Sequence, residues 1–284
     1  MSAKYGLMKR LKGTRAVITG AGSGLGRALS LELAQRGWRI VVSDVKEERA
    51  QETLRLVTQA GGSGKALYCD VTDMSQVAAM AENVFCNWGG VDLLINNAGV
   101  SMAGFVGRSP LENWRWIIDH DMWSVIYSCH YFIPRMKEME AGHIVNIASN
   151  AGIASLPEMA PYNVAKAGVI SLSETLRSEL APFNIGVTIA CPTFFTSNLL
   201  ETFRYDTEEE YRIAEKLLTW WFSMDPQKVA QRIIKAVQKN KLYVLPQIDA
   251  KFIWFSKRFF PSVYFAVMSM CYRRGLHKWL LKLP

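Results

Sequence analysis

Two side chains that could carry proton chemistry, Tyr162 and Lys166, lie four residues apart in an apolar stretch with helical spacing. Four residues are a little over one turn of helix, so the phenol and the ammonium emerge on the same face. A lysine charge nearby favours the ionised phenol, so we expect the pKa of Tyr162 to fall from about 10 toward neutrality. Such a tyrosine can act as a general acid or base, although the spacing alone is also typical of a surface pair.

A glycine-rich turn near the N-terminus gives this pair a context. Residues 20–26 read Gly-Ala-Gly-Ser-Gly-Leu-Gly, and they follow a predicted strand at 16–19 and precede a predicted helix at 27–36. Glycines let the backbone approach a pyrophosphate, and a helix N-terminus offers it free N–H groups and the positive end of a dipole. The order of strand, turn and helix therefore predicts dinucleotide binding. The contacts expected in this turn are Gly20, Ser23, Gly24, Leu25 and Gly26.

Acidic residues follow the next two predicted strands. The strand at 39–43 ends at Asp44, where a carboxylate can accept hydrogen bonds from both ribose hydroxyls and would repel a 2′-phosphate. NAD is therefore favoured over NADP as the cofactor. Lys46 lies close enough to Asp44 that NADP stays an alternative cofactor. Asp44 could also be an ordinary turn residue at the end of a strand. A third strand at 65–69 is followed by Asp70 and Val71, which we expect near the adenine.

Together these residues resemble the short-chain dehydrogenase/reductase family from about residue 11 to 246. The turn motif is joined by Asn-Asn-Ala-Gly at 96–99 and by Ser149, Tyr162 and Lys166, which match the catalytic set of the family. The resemblance implies an α/β fold, a single Rossmann-like, doubly wound, parallel sheet of seven strands with helices on both faces. We expect this domain to span 11–246, followed by an aromatic and basic C-terminal extension at 247–284.

The resemblance also implies roles for individual residues. Tyr162 would exchange a proton with the substrate oxygen, Ser149 would hydrogen-bond that oxygen, and Lys166 would tune the phenol and hold the nicotinamide ribose. Asn96 would shape the backbone beside the ribose, and Thr196 would contact the carboxamide. The further cofactor contacts implied are Asn97, Ala98, Gly99, Tyr162, Lys166 and Pro192.

Two positions depart from the pattern of the family. Asp121 stands where the family usually has an asparagine that orders a water in the proton relay, and Thr193 replaces the glycine that normally follows Pro192. We include Asp121 in the catalytic set, because an aspartate also holds water. It can also ionise and pair with Lys166, which would change how the lysine acts on the phenol. Thr193 would narrow the space near the nicotinamide.

The segment at 194–224 follows the sixth predicted strand, at 185–191, and corresponds to the substrate lid of the family. Its aromatic and aliphatic side chains suit a lipophilic alcohol or ketone, although they would equally anchor a lid on the body of the protein. The extension at 247–284 contains seven Lys or Arg and no Asp or Glu from Lys251 onward. We expect it to lie on an anionic membrane, to cover the pocket or to pack on a partner subunit.

Composition narrows the function classes. The net charge of +8 comes from the two ends of the chain, which argues against a general nucleic-acid surface. Five scattered cysteines and four dispersed histidines predict neither a disulfide framework nor a metal site. With no secretory signal recognised, we expect a cytoplasmic protein with an optional peripheral membrane contact.

The sequence therefore predicts an NAD(P)-dependent oxidoreductase that moves a hydride between nicotinamide and a lipophilic secondary alcohol or ketone. One alternative is an NADPH-dependent carbonyl reductase. Another is a catalytically weak, cofactor-binding, membrane-associated protein, because Asp121 replaces the asparagine. The family resemblance implies a homodimer or homotetramer.

Overall fold

A parallel β-sheet forms the centre of the protein, whose computed structural model describes residues 11–219 and 224–276. Within those residues the sheet has seven strands: β1 (Arg15–Thr19), β2 (Arg39–Asp44), β3 (Ser63–Tyr68), β4 (Leu93–Asn96), β5 (Gly142–Ile147), β6 (Ile185–Ala190) and β7 (Tyr243–Val244). Their order across the sheet is β3-β2-β1-β4-β5-β6-β7, and each pair of neighbours is parallel. The prediction of a seven-stranded Rossmann-like sheet is confirmed.

Helices connect the strands and cover both faces of the sheet. Those described are α1 (Gly24–Ala34), α2 (Glu47–Gln59), α3 (Met74–Trp88), α4 (Leu111–Ile118), α5 (Ser124–Met139), α6 (Ala151–Ala154), α7 (Ala160–Glu179), α8 (Glu208–Thr219), α9 (Pro226–Gln238), α10 (Ile248–Phe259) and α11 (Pro261–Arg273). A π turn at Asp119–Trp123 joins α4 to α5, and two 3₁₀ turns lie at Ala181–Phe183 and Leu199–Thr202.

Two hydrophobic clusters follow from the alternation of side chains along each strand. In β1, Ile18 faces a cluster built with Leu33 of α1 and Ile233 of α9, whereas Val17 faces a cluster built with Phe132 of α5. Successive strand residues point to opposite faces, and here both faces are covered. A strand buried on both sides reads as a continuous apolar run, which is why the strands could be predicted.

Strand order places a crevice at the carboxyl edge of the sheet. The chain runs from β1 outward to β2 and β3, then returns to β4 on the other side of β1. Loops after β1 and β4 therefore diverge at this edge, which is where ligands bind in open α/β sheets. The glycine-rich turn follows β1, and residues 97–99 follow β4.

The C-terminal helix α10 packs against α6, beside that same edge, and α11 packs against α10 and donates a hydrogen bond from Tyr264 to Ala154 of α6. Within the described parts of the chain, no helix combines the length and apolar character needed to cross a bilayer. The predicted extension runs to residue 284, so its last residues, 277–284, lie outside the described residues.

Candidate active site

The glycine-rich turn is packed too tightly for side chains at its key positions. A Cβ atom on Gly26 would lie 2.2 Å from the carbonyl oxygen of Gly20 and 2.6 Å from Nδ2 of Asn97. Asn97 Nδ2 donates hydrogen bonds to the carbonyl oxygens of Thr19 and Gly20, at 2.9 and 3.0 Å. Gly20 has a φ of +61°, which favours glycine. The turn after β1 is therefore fixed against the loop after β4.

The carboxylate of Asp44 is oriented by two backbone N–H groups. Gly22 N–H donates to Oδ2 at 2.8 Å, and Lys46 N–H donates to Oδ1 at 2.9 Å. Each oxygen keeps a further lone pair, so the group can still accept hydrogen bonds from a ligand. Asp44 is thus a fixed acceptor at the end of β2, directly beside the glycine-rich turn.

A cavity of about 830 Å³ runs along this edge of the sheet. Its volume lies within the range of about 300–1,000 Å³ that is usual for ligand cavities. The predicted site residues that line it are Gly20, Ser23, Gly24, Leu25, Asp44, Asp70, Val71, Asn97, Ala98, Gly99, Ser149, Tyr162, Lys166 and Pro192. Close backbone approach at one end and titratable groups at the other fit a dinucleotide lying along the cavity.

Three predicted site residues do not line this cavity. Gly26 lies behind the turn, where its role is the close packing described above. Asp121 is fully buried behind Lys166. Thr196 donates its backbone N–H to the carbonyl oxygen of Met224 at 3.4 Å, and its contact with a carboxamide stays a prediction.

Tyr162 and Lys166 share one face of α7, as their spacing predicts. The Lys166 Nζ atom lies 5.7 Å from the centroid of the Tyr162 ring and donates to the carbonyl oxygen of Ile147 at 3.3 Å. Ser149, which follows β5, lies close enough to Tyr162 to lower the pKa of the phenol. The Ser149 hydroxyl also accepts from the N–H of Ala151 at 3.1 Å. Three predicted catalytic groups are therefore adjacent on one wall of the cavity.

Asp121 forms a buried ion pair with Lys166. Its Oδ2 atom lies 3.1 Å from Lys166 Nζ, and its Oδ1 atom accepts from the N–H of Val100 at 2.7 Å. Asp121 projects from the π turn between α4 and α5, a feature that occurs often at functional sites. A Cβ on Gly99 would lie 3.0 Å from Asp121 Oδ1, so the glycine allows the loop after β4 to pass closely.

Burial dominates the electrostatics of this cluster. It raises the pKa of the Tyr162 phenol; Lys166 and Ser149 oppose this rise, while Asp121 adds to it. Burial also raises the pKa of Asp121, against the charge of Lys166. For Lys166, burial alone would lower the pKa, but Asp121 and Tyr162 outweigh it and the net direction is upward.

The prediction that the Tyr162 pKa falls toward neutrality is therefore wrong in its net direction. Lys166 does act in the predicted sense, but desolvation of the phenol and the Asp121 carboxylate outweigh it. Spacing along a helix reports that two groups are close and says nothing of how far water is excluded from them. The predicted pairing of Asp121 with Lys166 is present.

Two other residues singled out from the sequence have structural contacts. Asn96 is buried at the end of β4 and donates to Asn146 of β5 at 2.8 Å, so it joins strands within the sheet. The Thr193 hydroxyl donates to Asp249 Oδ1 at 3.2 Å, and the Thr193 N–H donates to Gln247 at 3.1 Å. Thr193 thus connects the loop after β6 to the start of the C-terminal helices.

The predicted lid contributes apolar side chains to the cavity. Its described lining residues include Phe194, Phe195, Leu199, Phe203, Ile213 and Leu217. The lid is also anchored, because Asp206 accepts from Ser109 at 2.5 Å and Arg108 pairs with Glu210 at 2.5 Å. The segment therefore both lines the cavity and is anchored on the body of the protein, and its binding of a lipophilic substrate stays a prediction. Residues 220–223 of the predicted lid, which include Trp220 and Trp221, lie outside the described residues.

The C-terminal helices contribute cavity residues that sequence reasoning did not assign. Ile253 of α10 and Met268, Cys271 and Tyr272 of α11 line the same cavity. Lys257 donates to the carbonyl oxygen of Ile153 at 2.5 Å, and Tyr264 donates to that of Ala154 at 3.0 Å. The Tyr272 hydroxyl donates to Glu158 at 2.8 Å. These contacts brace the segment between Ser149 and Tyr162; no local motif signals them.

Comparison with known proteins agrees with this geometry. The family model for short chain dehydrogenase matches residues 14–208. The Mycobacterium tuberculosis protein SadH is 32% identical over 263 residues, which cover 90% of this chain and 94% of that protein. The C alpha-dehydrogenase of Sphingobium sp. is 32% identical over 255 residues, 86% of this chain and 84% of that enzyme.

A solved structure extends the likeness to three dimensions. The short chain dehydrogenase/reductase from Burkholderia phymatum, determined in complex with NAD, superimposes with a TM-score of 0.82 at 30% identity. The match covers 88% of this chain and 94% of that one. This chain belongs to the short-chain dehydrogenase/reductase family, and it is an oxidoreductase of the class that binds nicotinamide cofactors.

Proposed function

We propose that this protein is an NAD-dependent dehydrogenase that interconverts a lipophilic secondary alcohol and its ketone. The observation that carries the proposal is the adjacency of Tyr162, Ser149 and Lys166 on the wall of a cavity that also contains the glycine-rich turn. Proton-transfer groups and a dinucleotide cradle in one cavity are what such a reaction requires.

The catalytic roles follow from the groups and their contacts. Tyr162 removes a proton from the alcohol oxygen in oxidation, and it returns the proton to the ketone oxygen in reduction. Ser149 holds that oxygen in reach, since its hydroxyl lines the same cavity as the phenol and lowers its pKa. Lys166 stabilises the phenolate that forms. A bound nicotinamide would accept or give up the hydride, and in its oxidised form it would add a positive charge beside the phenol.

The cofactor proposed is NAD. Asp44 is held by Gly22 and Lys46 with its free lone pairs available, which suits two ribose hydroxyls and opposes a 2′-phosphate. The relative from Burkholderia phymatum was solved with NAD, which supports the same choice. Gly20, Asn97 and Gly99 line the cavity beyond Asp44.

An apolar substrate suits the part of the cavity lined by the lid and the C-terminal helices. This part of the cavity is lined by apolar side chains, among them Leu199 and Phe203 of the lid and Ile253 and Met268 of the C-terminal helices. Such a surface favours a lipophilic alcohol or ketone, because burying apolar area is worth about 25 cal/mol per Å². Polar sugars and small hydroxy acids would leave this wall unmatched.

Turnover with NAD and a panel of lipophilic secondary alcohols, followed by NADH absorbance, tests the proposal. We expect wild-type activity and its loss in Tyr162→Phe, with NADH affinity nearly unchanged because only a hydroxyl is removed. Tyr127→Phe, on the partly buried surface of α5, is the matched control and should keep its activity. Wild-type rates in Tyr162→Phe would overturn the assignment.

A second candidate is a cofactor-binding protein with little turnover, and Asp121 is the observation that favours it. Its ion pair with Lys166 raises the pKa of the Lys166 ammonium and adds to the rise at Tyr162. The same alcohol panel separates the two candidates. NADH binding without turnover, restored by Asp121→Asn, would favour this second function.

Peripheral contact with an anionic membrane is proposed for the C-terminal helices. Phe252, Phe259 and Val263 are 72%, 58% and 61% exposed, although they are large and apolar. From Lys251 onward the sequence has seven basic residues and no acidic one. Exposed aromatic groups beside uncompensated positive charge match the interface of a bilayer that contains anionic lipid.

Sedimentation with lipid vesicles tests this contact. We expect wild-type protein to pellet with vesicles that contain phosphatidylserine and much less with neutral vesicles. The combined change of Phe252, Phe259 and Val263 to serine should abolish pelleting, whereas Tyr68→Ser with Val106→Ser, two exposed positions elsewhere, should not. If the triple variant instead dissociates a dimer in light scattering and pellets normally, a second copy occupies this face.

A homodimer or homotetramer is also proposed, in line with the family. Its support in this structure is a separate exposed apolar set on neighbouring helices, with Leu111 on α4 73% exposed, Trp123 41% and Val164 on α7 50%. Light scattering of Trp123→Asp with Val164→Asp should show a smaller mass than the wild type. A wild-type monomer would refute the proposal.

A further inference from the structure

One glutamate connects the lid to the end of the cavity that holds Asp44. Glu201, in the 3₁₀ turn at Leu199–Thr202, pairs with Lys46 at 3.1 Å and with Arg49 at 2.8 Å. Arg49 Nη2 lies within hydrogen-bonding distance of both carboxylate oxygens, and Asn198 donates to one of them at 2.5 Å. A single carboxylate thus engages two cations that lie more than 150 residues away in sequence.

Both cations stand beside the acceptor that fits the ribose. Lys46 follows Asp44 by two residues and is the N-cap residue of α2, and its N–H already donates to the Asp44 carboxylate. Arg49 lies against the glycine-rich turn, because its Cβ would be 2.7 Å from a Cβ placed on Gly22. Lys46, Arg49 and Glu201 all line the same cavity as Asp44.

We propose that Glu201 determines cofactor choice, by occupying the two cations that would otherwise bind the 2′-phosphate of NADP. This inference rests on the proposed function, since it concerns the cofactor of that reaction. Asp44 repels the phosphate directly. Glu201 pairs with Lys46 and Arg49, the cations that could otherwise bind the phosphate and compensate for that repulsion. The lid therefore takes part in selecting the cofactor as well as covering the substrate.

The charge and the exposure of these side chains support a role for Glu201 in cofactor choice. An arginine and a lysine next to each other form the kind of group that binds a phosphate through charge-assisted hydrogen bonds. The side chains of Lys46, Arg49 and Glu201 are 47%, 32% and 39% exposed, so water screens the pairs and a phosphate can compete for them. For this reason we expect a graded preference for NAD instead of absolute exclusion of NADP.

Equilibrium binding of NADH and NADPH to the full chain, followed by calorimetry, tests the proposal. Glu201→Gln should lower the ratio of the NADPH to the NADH dissociation constant by about two- to fivefold, a modest change typical of exposed charges. Adding Lys46→Gln and Arg49→Gln to that variant removes both cations and should reverse that gain. Glu48→Gln is the matched control, because it removes the same charge from an exposed position in the first turn of α2.

Each outcome bears on one proposal only. If wild-type protein binds neither nucleotide, the proposed dehydrogenase function fails. If it binds NADH and Glu201→Gln weakens both nucleotides equally, Glu201 only fastens the lid and the inference is refuted. A fall in the ratio that Glu48→Gln reproduces would also refute it, since the effect would then come from net charge.

Discussion

Replacement of Asp121 by asparagine should move the pH dependence of alcohol oxidation to lower pH. In the proposed reaction, oxidation requires Tyr162 to accept a proton, so the rate is expected to rise as the phenol ionises. Burial raises the pKa of Tyr162, and the Asp121 carboxylate raises it further, while Lys166 lowers it. Asparagine keeps the size and the capacity to accept the Val100 N–H, and it removes only the negative charge.

The magnitude can be worked from two distances. Lys166 Nζ lies 3.1 Å from Asp121 Oδ2 and 5.7 Å from the Tyr162 ring centroid. These distances limit the separation of the carboxylate and the ring to about 9 Å, where a unit charge at an effective dielectric of about 20 contributes about 2 kcal/mol. A change of 1.36 kcal/mol corresponds to about one pH unit, so the profile should move down by about 1 to 1.5 units.

The assay is the pH profile of kcat for NAD-dependent oxidation of the best alcohol in the panel. Asp119→Asn supplies the control, because Asp119 is exposed in the same π turn and should leave the profile in place. An unchanged profile in Asp121→Asn would mean that the carboxyl is already protonated in the working enzyme. A profile moved to higher pH would refute the electrostatic reasoning altogether.

Other predictions concern the glycine-rich turn and the stability of the fold. Gly26→Ala should weaken NADH binding more than about tenfold, because its Cβ would meet the Gly20 carbonyl oxygen at 2.2 Å. Gly37→Ala, where a Cβ meets no atom within 4 Å, should cost about 1 kcal/mol of stability at its positive φ and leave that affinity unchanged. Asp92→Ala should lower the free energy of unfolding by about 3 kcal/mol in urea titrations, since it removes the buried partner of Arg15 at 2.7 Å. Glu52→Ala, which breaks an exposed pair with Arg55, should have little effect; equal losses would contradict the burial argument.

Local patterns predicted most of the fold and the proximity of Ser149, Tyr162 and Lys166. Buried parallel strands read as apolar runs, and the glycine-rich residues follow β1 as predicted. They run into the first turn of α1, which begins at Gly24, three residues before its predicted start. Strand boundaries also differ from the predicted ones. The third strand begins at Ser63, two residues before the predicted start, because a glycine at 64 pairs with Ile40 in the sheet.

The remainder depends on contacts between distant parts of the chain. The upward pKa of Tyr162 arises from burial by the whole fold, which no spacing reports. Glu201 meets Lys46 and Arg49 only because the lid returns over the start of α2. Likewise, Lys257 and Tyr264 reach the segment after Ser149 through the docking of α10 and α11 on α6.

Isotope transfer tests most directly whether the protein moves a hydride from a secondary alcohol to NAD. The protein is incubated with NAD and a secondary alcohol that carries deuterium on the carbon bearing the oxygen, and the reduced cofactor is analysed by mass spectrometry. We expect the deuterium to appear in the NADH formed by the wild type, and we expect Tyr162→Phe to form no NADH. NADH that lacks the deuterium, or equal deuterium transfer by Tyr162→Phe, would contradict it.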